Sequence, residues 1–357
     1  MKIQKMILAQ KIPVTVITGF LGSGKTSLMA HLLKHSGGKR IAVLINEFGS
    51  LGMDEAIVKS QCNDGCKPEE IIELANGCIC CTVADDFLPA MKKILDGDKK
   101  IDHILIETSG LALPKPLLKA FQWHDISPRV TVNGVVAVLD GPAIVRGLFQ
   151  AIPQTPLNLP KNQEQKIDHE NEMAELFEDQ LLSADVVLLN KSDLLLADDK
   201  KNIIADLRSG KIAGLRPAAK IIETNHGSIH PNLLLGLDYK VENDLVNRKS
   251  HHDSMGEEEH GHDEFTSFVV SLGVVDDEKK LEEKILMLLQ DYNILRLKGL
   301  VARAGKLYKE IWQVAGPRIE RYFSTIEKNN HQSQLVVIGL KGLDEKTIAT
   351  ELRSAVN

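Results

Sequence analysis

At 357 residues, 43% hydrophobic and 26% charged, the chain has the composition of a water-soluble globular protein with room for one large domain and a smaller one. Its net charge of −6 offers no attraction for nucleic acid or an anionic membrane. No stretch is long and apolar enough to span a bilayer, so neither is expected as a partner and a cytoplasmic location is expected.

Residues 1–10 hold only a short apolar run, Met6 to Ala9, and no small-residue cleavage site. They read as a disordered lead-in rather than a signal peptide. Pro13 to Leu28 then reads PVTVITGFLGSGKTSL. An apolar, β-branched run breaks at Gly19, and Gly22, Ser23, Gly24, Lys25, Thr26 and Ser27 lead into a helical pattern carried by Leu28, Met29, Leu32 and Leu33. Gly19 to Thr26 fits the G-x-x-x-x-G-K-[ST] phosphate loop. Its backbone N–H groups would surround phosphate oxygens at the positive end of the helix. Lys25 would reach the β- and γ-phosphates, and Thr26 would ligate Mg²⁺. The plain alternative is a glycine turn between two core elements.

Ile41 to Asn46 is a short buried-strand pattern running into a polar loop, Glu47 to Asp54, where a movable switch would lie. Gln61 to Pro68 is a loop with Cys62 and Cys66, and Glu69 to Ala75 leads to Gly77-Cys78-Ile79-Cys80-Cys81. From Thr82 to Leu95, Phe87, Leu88, Met91, Ile94 and Leu95 recur at helical spacing. Ile101 to Ile106 is a buried strand ending in Glu107-Thr108-Ser109-Gly110, with Pro114 opening a helix. Val135 to Asp140, Asp185 to Asn190 and Ala219 to Glu223 are further strands, with a helix at Glu172 to Leu182. Strands alternating with helices predict an α/β domain, a doubly wound, mostly parallel sheet covered on both faces. Ligands bind beyond the carboxyl ends of such strands. The phosphate loop, the Glu47 loop, Glu107, Asp140, Asn190 and Thr224 all fall there.

Residues 11–240 are therefore assigned to a nucleotide domain. Residues 241–263, with His251, His252, His260 and His262 among acidic neighbours, are too polar to pack and read as a linker. Residues 264–357 form a small α+β domain: strands at Phe265 to Leu272, Ile294 to Ala302 and Leu335 to Gly339, and helices around Leu281 to Leu289 and Glu345 to Ala355. Trp123 and Trp312 are expected in cores.

Asn190-Lys191-Ser192-Asp193 is N-K-x-D after a buried strand, where the Asp193 carboxylate would pair with the guanine edge and favour GTP over ATP; otherwise it caps the next helix. Glu107 stands where Walker-type enzymes place an acid near Mg²⁺, and Gly110 would let an N–H approach the γ-phosphate. Cys78, Cys80 and Cys81 are soft ligands suited to Zn²⁺, Co²⁺ or Cu⁺; the alternatives are a C-x-x-C redox pair of Cys78 and Cys81 and buried structural thiols. All five cysteines lie between Cys62 and Cys81, which favours metal or redox chemistry over a disulfide scaffold. In an extended chain Cys81 points away from Cys78 and Cys80, so one ion can join all three only where the backbone bends. Cys62 and Cys66 are a second site or two loop thiols; the histidines collect metal weakly or are incidental. A small-molecule kinase and a redox regulator remain open as other classes.

GFLGSGKT, INEFG, GCICC, ETSG and NKSD, present in that order, resemble the CobW family of P-loop GTPases. NGCICCTVADDF, ETSGLALPKPL, the His/Asp stretch and VVIGLKGLD extend the likeness over nearly the whole chain, toward its cobalamin-biosynthesis branch. The resemblance implies a P-loop NTPase domain, a C-terminal CobW domain, and a metallochaperone using GTP and Mg²⁺ with a thiolate-held ion. Co²⁺ delivered to cobaltochelatase is the expected cargo and client. Zn²⁺ delivered to another metalloenzyme client is the alternative, and a homodimer is left open. Many relatives carry an acid directly after the NEFG glycine. Here it is Ser50, so Glu47 or Asp54 would have to serve as the metal-side carboxylate.

Overall fold

A computed structural model describes residues 11–46, 70–74, 87–148, 173–212, 214–248, 265–292, 294–315, 318–327, 332–340 and 342–356. The nucleotide domain is built on seven strands: β1 (Ile12–Thr18), β2 (Ile41–Asn46), β3 (Glu70–Leu74), β4 (His103–Glu107), β5 (Val130–Asp140), β6 (Val186–Asn190) and β7 (Lys220–Glu223). They pair in the order β3-β2-β4-β1-β5-β6-β7, every pair parallel. The central strands are apolar runs because both faces are covered. On one face Val14, Val16, Leu44, Ile104 and Ile106 pack with Met91 and Ile94 of α2 (Leu88–Asp96) and with Phe121, just past α3 (Pro114–Ala120). On the other, Ile17, Val43, Leu105, Val136 and Val138 pack with Leu28, Met29 and Leu32 of α1 (Lys25–Lys34). Further along the sheet, α4 (Gly141–Val145), α5 (residues 173–183) and α6 (Ala197–Ser209) surround Leu139, Val187 and Leu189. β1 lies between β4 and β5, so the sheet order reverses at the strand that feeds the phosphate loop.

Residues 241–248, assigned by sequence to the linker, are instead packed on this domain. Val241 and Leu245 are buried in the same cluster as β1 and β4. The Glu242 carboxylate accepts from Thr131 Oγ1 (2.7 Å) and Val132 N (2.8 Å). Arg248, 1% exposed, donates to Ser183 O and to Asp185 Oδ1 (2.7 Å), which also accepts from Arg216 (2.8 Å). Two apolar residues, the hydrogen-bonded Glu242 and the ion pairs of Asp244 and Arg248 hold a segment whose overall polarity suggested none.

The C-terminal domain is a five-stranded antiparallel sheet of order β11-β10-β9-β12-β8. Its strands are β8 (Phe265–Leu272), β9 (Ile294–Val301), β10 (Tyr308–Ala315), β11 (Arg318–Glu327) and β12 (Ser333–Leu340). One face packs Val270, Leu297, Trp312, Leu335 and Val337 beneath Leu281 and Ile285 of α7 (Glu278–Asp291) and Ile348 and Leu352 of α8 (Glu345–Ser354). On the other face Val336 and Ile338 join Leu21, Leu111 and Leu176 of the nucleotide domain. The sequence reading did not mark β3 or the β10–β11 hairpin as strands.

Candidate nucleotide site

The phosphate loop takes its shape from two close approaches. Gly19 (φ +132°) passes β5 so tightly that a Cβ there would sit 2.2 Å from the Val138 carbonyl oxygen. Gly24 (φ +107°) would place a Cβ 2.3 Å from Asn190 Nδ2. Gly24 is also the N-cap of α1 and supplies no side-chain cap, so the first-turn N–H groups are presented to an anion. The Ser23 hydroxyl is buried with no hydrogen-bond partner, an orphaned polar atom within the loop. Lys25 is buried and donates to the carbonyls of Gly19 (2.8 Å) and Phe20 (3.3 Å), which aims its ammonium back over the loop.

Thr26 and Glu107 are 81 residues apart in sequence and meet here. The Thr26 hydroxyl donates to the Glu107 carboxylate at 3.3 and 3.4 Å, both side chains buried. Thr108 extends the β1–β4 pairing, its N–H donating to Ile17 O (2.9 Å) and its hydroxyl to Thr18 Oγ1 (3.1 Å). Gly110 then runs directly against Leu21; a Cβ there would lie 2.7 Å from the Leu21 backbone nitrogen. Gln180 on α5, fully buried, holds this loop from behind by donating to the carbonyls of Gly110 (3.2 Å) and Ala112 (3.4 Å).

The end of β6 closes the other side. Asn190 Nδ2 donates to Ser23 O (2.8 Å), and Asn190 Oδ1 accepts from Gly227 N (3.0 Å) and the Thr224 hydroxyl (3.3 Å). Lys191, in the left-handed conformation (φ 58°), donates to Asp140 Oδ2 (2.8 Å), and Asp140 Oδ1 caps α4 through Ala143 N (3.0 Å). Asp193 N donates to Asn225 Oδ1 (2.9 Å), and the residue itself is exposed. Ser27, on the first turn of α1, is half-buried.

The structure thus brings together Gly19, Gly22, Ser23, Gly24, Lys25, Thr26, Glu107, Gly110 and Asn190, with Lys191 and Asp193 on the same rim. Sequence reasoning did not assign roles to Asp140 as the Lys191 partner or to Gln180 behind the Gly110 loop. Asp140 is marked only by its place at a strand end, and Gln180 lies in no local pattern that could have marked it. Glu47, Cys62, Cys66, Cys78, Cys80, Cys81 and the four linker histidines lie outside the described residues. Among the described residues no three His, Cys, Asp or Glu side chains are grouped to hold a metal ion, and no helix is long and apolar enough to cross a membrane.

A parallel sheet with a lysine-bearing phosphate loop after β1, an acid at the end of β4 and N-K-x-D starting on the last residue of β6 defines a P-loop nucleotide-binding protein. Residues 13–222 match the family described as CobW/HypB/UreG, nucleotide-binding domain, and residues 265–356 match the cobalamin synthesis protein cobW C-terminal domain. The chain belongs to the CobW family. A protein of Sinorhizobium sp named Zinc chaperone CobW is 44% identical over 97% of this chain and 98% of its own length. A protein of the same name from Pseudomonas aeruginosa is 46% identical over 97% of this chain and 92% of its own. Among solved structures, the Zn(II)-bound YjiA GTPase from E. coli is similar at 22% identity, covering 98% of this chain and 99% of that one, with a TM-score of 0.41.

Proposed function

We propose that the chain is a Mg²⁺-dependent GTPase that carries a divalent transition metal and hands it to a metalloenzyme client. The observation that carries the nucleotide half is the bond from Asn190 Nδ2 to Ser23 O, which joins the N-K-S-D segment to the phosphate loop as one site. Asp193 would accept from the guanine edge, and the amides of 19–26 with Lys25 would hold the phosphates. The unpartnered Ser23 hydroxyl and the uncapped start of α1 suit an anionic ligand. Thr26 and Glu107 offer two hard oxygen ligands at hydrogen-bond distance, the donor chemistry Mg²⁺ takes. Bound Mg²⁺ would neutralise charge on the β- and γ-phosphate oxygens. Gly110 would offer its N–H to the γ-phosphate while water attacks phosphorus and the bridging oxygen departs with GDP.

The metal half rests on Cys78-Ile79-Cys80-Cys81, which lies in sequence between β3 and α2 and is bracketed by the Glu47 and Glu107 loops. Loops ordered around a γ-phosphate would complete the thiolate site and hydrolysis would relax it. Zn²⁺ is the favoured cargo, because the relatives alike over nearly the whole chain are named zinc chaperones. Co²⁺ delivered to cobaltochelatase is the second reading, supported by the description of the C-terminal family.

The test is metal affinity, for Zn²⁺ and Co²⁺ separately, with Mg²⁺–GTP against Mg²⁺–GDP. Tight binding of one ion per chain only with GTP is expected, lost when the three cysteines become serine while GTP binding persists. Co²⁺ held by these thiolates would give intense tetrahedral absorption and release protons. Equal affinity with GTP, GDP and no nucleotide means no coupling free energy between the sites and overturns the carrier mechanism.

A further inference from the structure

Gly110 has no side chain to restrict its backbone, so the direction of its N–H is fixed by what surrounds it. On one side stands the phosphate loop, with Leu21 N 2.7 Å from where a Cβ would be. Within the segment itself, Leu111 N donates to Ser109 Oγ (3.3 Å) and Ala112 N to Ser109 O (3.1 Å), which closes a turn around Gly110. Two carbonyls of that turn, Gly110 O and Ala112 O, are then taken by one group, Gln180 Nε2, at 3.2 and 3.4 Å. The Gly110 N–H itself makes no hydrogen bond among the described residues.

Gln180 is an unexpected residue for its place. It is fully buried and lies one helical turn beyond Leu176 on the same face of α5. Leu176 shares an apolar cluster with Leu21 and Leu111. A leucine or methionine at 180 would continue that apolar face and leave no polar atom of its own to satisfy. The glutamine instead leaves its Oε1 buried without a hydrogen-bond partner, which is unfavourable. What the amide adds over an apolar side chain is its pair of N–H bonds to the Gly110 turn. With Leu21 in front and Gln180 holding the carbonyls, Gly110 is fixed from two sides.

We propose that Gln180 is a positioning residue for hydrolysis: by holding the Gly110 and Ala112 carbonyls, it keeps the Gly110 N–H turned toward the terminal phosphate of GTP. This rests on the reading of the site as a GTPase given above. Gln180 acts through the Gly110 backbone and not on the nucleotide itself. GDP has no third phosphate for that N–H to meet, so Gln180 bears on turnover of the triphosphate and leaves binding of the diphosphate alone.

The experiment uses the full chain with Mg²⁺ and measures steady-state GTP turnover beside titration with a fluorescent GDP. Gln180→Met keeps an unbranched side chain of similar length and removes the donor. Gln180→Glu keeps the shape and sets carboxylate oxygens against the two carbonyls. In both, kcat is expected to fall about tenfold or more while GDP affinity stays within about twofold. The glutamate variant should regain turnover, relative to the unmodified chain at the same pH, as pH is lowered, because a protonated carboxyl again donates to a carbonyl; the methionine variant should not. Each variant is read where it retains the circular dichroism spectrum of the unmodified chain. A folded variant with unchanged kcat, or with kcat and GDP affinity falling together, overturns the proposal, since a residue that only satisfies buried backbone would give those results. A glutamate variant that stays at the methionine level at every pH overturns the donor role, and loss of the fold in both variants makes Gln180 a structural residue and overturns it too. An unmodified chain that binds GTP without hydrolysing it removes the GTPase reading instead, a failure seen before any variant is compared.

Discussion

Replacing Asn190 by alanine tests whether the base-reading segment and the phosphate loop are one unit. Asn190 is 1% exposed, and its amide is satisfied on both sides: Nδ2 donates to Ser23 O at 2.8 Å and Oδ1 accepts from Gly227 N at 3.0 Å. The amide cannot be turned over, because Ser23 presents an acceptor and Gly227 a donor. Alanine leaves both backbone groups orphaned at about 1–3 kcal/mol each, so the loss should be about 2–6 kcal/mol. Asn190→Asp separates the two bonds. A carboxylate still accepts from Gly227 but sets a buried charged oxygen against the Ser23 carbonyl, so it keeps the Gly227 bond and breaks the link to the phosphate loop. Urea unfolding gives the stability and titration with a fluorescent GDP gives the affinity. The alanine variant should lose stability in the range above, and both variants should bind GDP more weakly. An alanine variant within about 0.5 kcal/mol of the unmodified chain, with unchanged GDP affinity, would refute the reasoning.

Three further outcomes are expected. Gly110→Ala brings a Cβ to 2.6 Å from Leu21 Cδ2 and 2.7 Å from Leu21 N; the side chain can turn aside but the backbone cannot, so turnover should fall with GDP binding kept, and an unchanged kcat would detach this approach from hydrolysis. Asp193→Asn should weaken guanine binding by roughly 1–3 kcal/mol and favour xanthine nucleotides in competition titrations; ATP competing equally with GTP on the unmodified chain would refute the assignment. His103, bonded to Thr15 Oγ1 at 2.9 Å, has its pKa lowered by burial from 6.5 to about 3. The unfolded chain therefore takes up a proton below pH 6.5 that the folded chain refuses until about 3, so stability falls as pH drops through that window. By about pH 4.5 this group should cost about 3 kcal/mol, and denaturation of His103→Gln should show a flatter acid limb.

The nucleotide half was legible because its signals are contiguous. Gly19 to Thr26 carries strand end, loop and helix start in one stretch, and β1, β2, β4 and β6 are predominantly apolar runs. Thr26 and Glu107 could be paired across the sheet because each belongs to its own strand-end motif. The β10–β11 hairpin was missed because YKEIWQVA and RIERYFSTIE mix charges through both faces; Glu310 pairs with Arg303, and Arg321 lies over Trp312 at 4.4 Å. β3 is five residues of EIIEL at the sheet edge, with too little alternation to register. Contacts such as Gln180 to Gly110, Lys191 to Asp140 and Val336 to Leu21 leave no local trace. They follow from how the elements stack, which sequence periodicity does not encode.

The docking of residues 241–248 changes how the two domains meet. With Arg248 fixed to Ser183 and Asp185, a tether of 16 residues, 249–264, joins the nucleotide domain to Phe265. Fully extended, such a tether reaches about 55 Å. A domain held so closely re-encounters its partner surface at an effective concentration in the millimolar range. That proximity reinforces the seat of Val336 and Ile338 on Leu21 and Leu111. Each increment of about 1.4 kcal/mol that local concentration adds to such a contact is worth about tenfold in its occupancy. The Arg248 anchor therefore shortens the reach of the C-terminal domain and raises the local concentration at which its sheet is offered to Leu21 and Leu111.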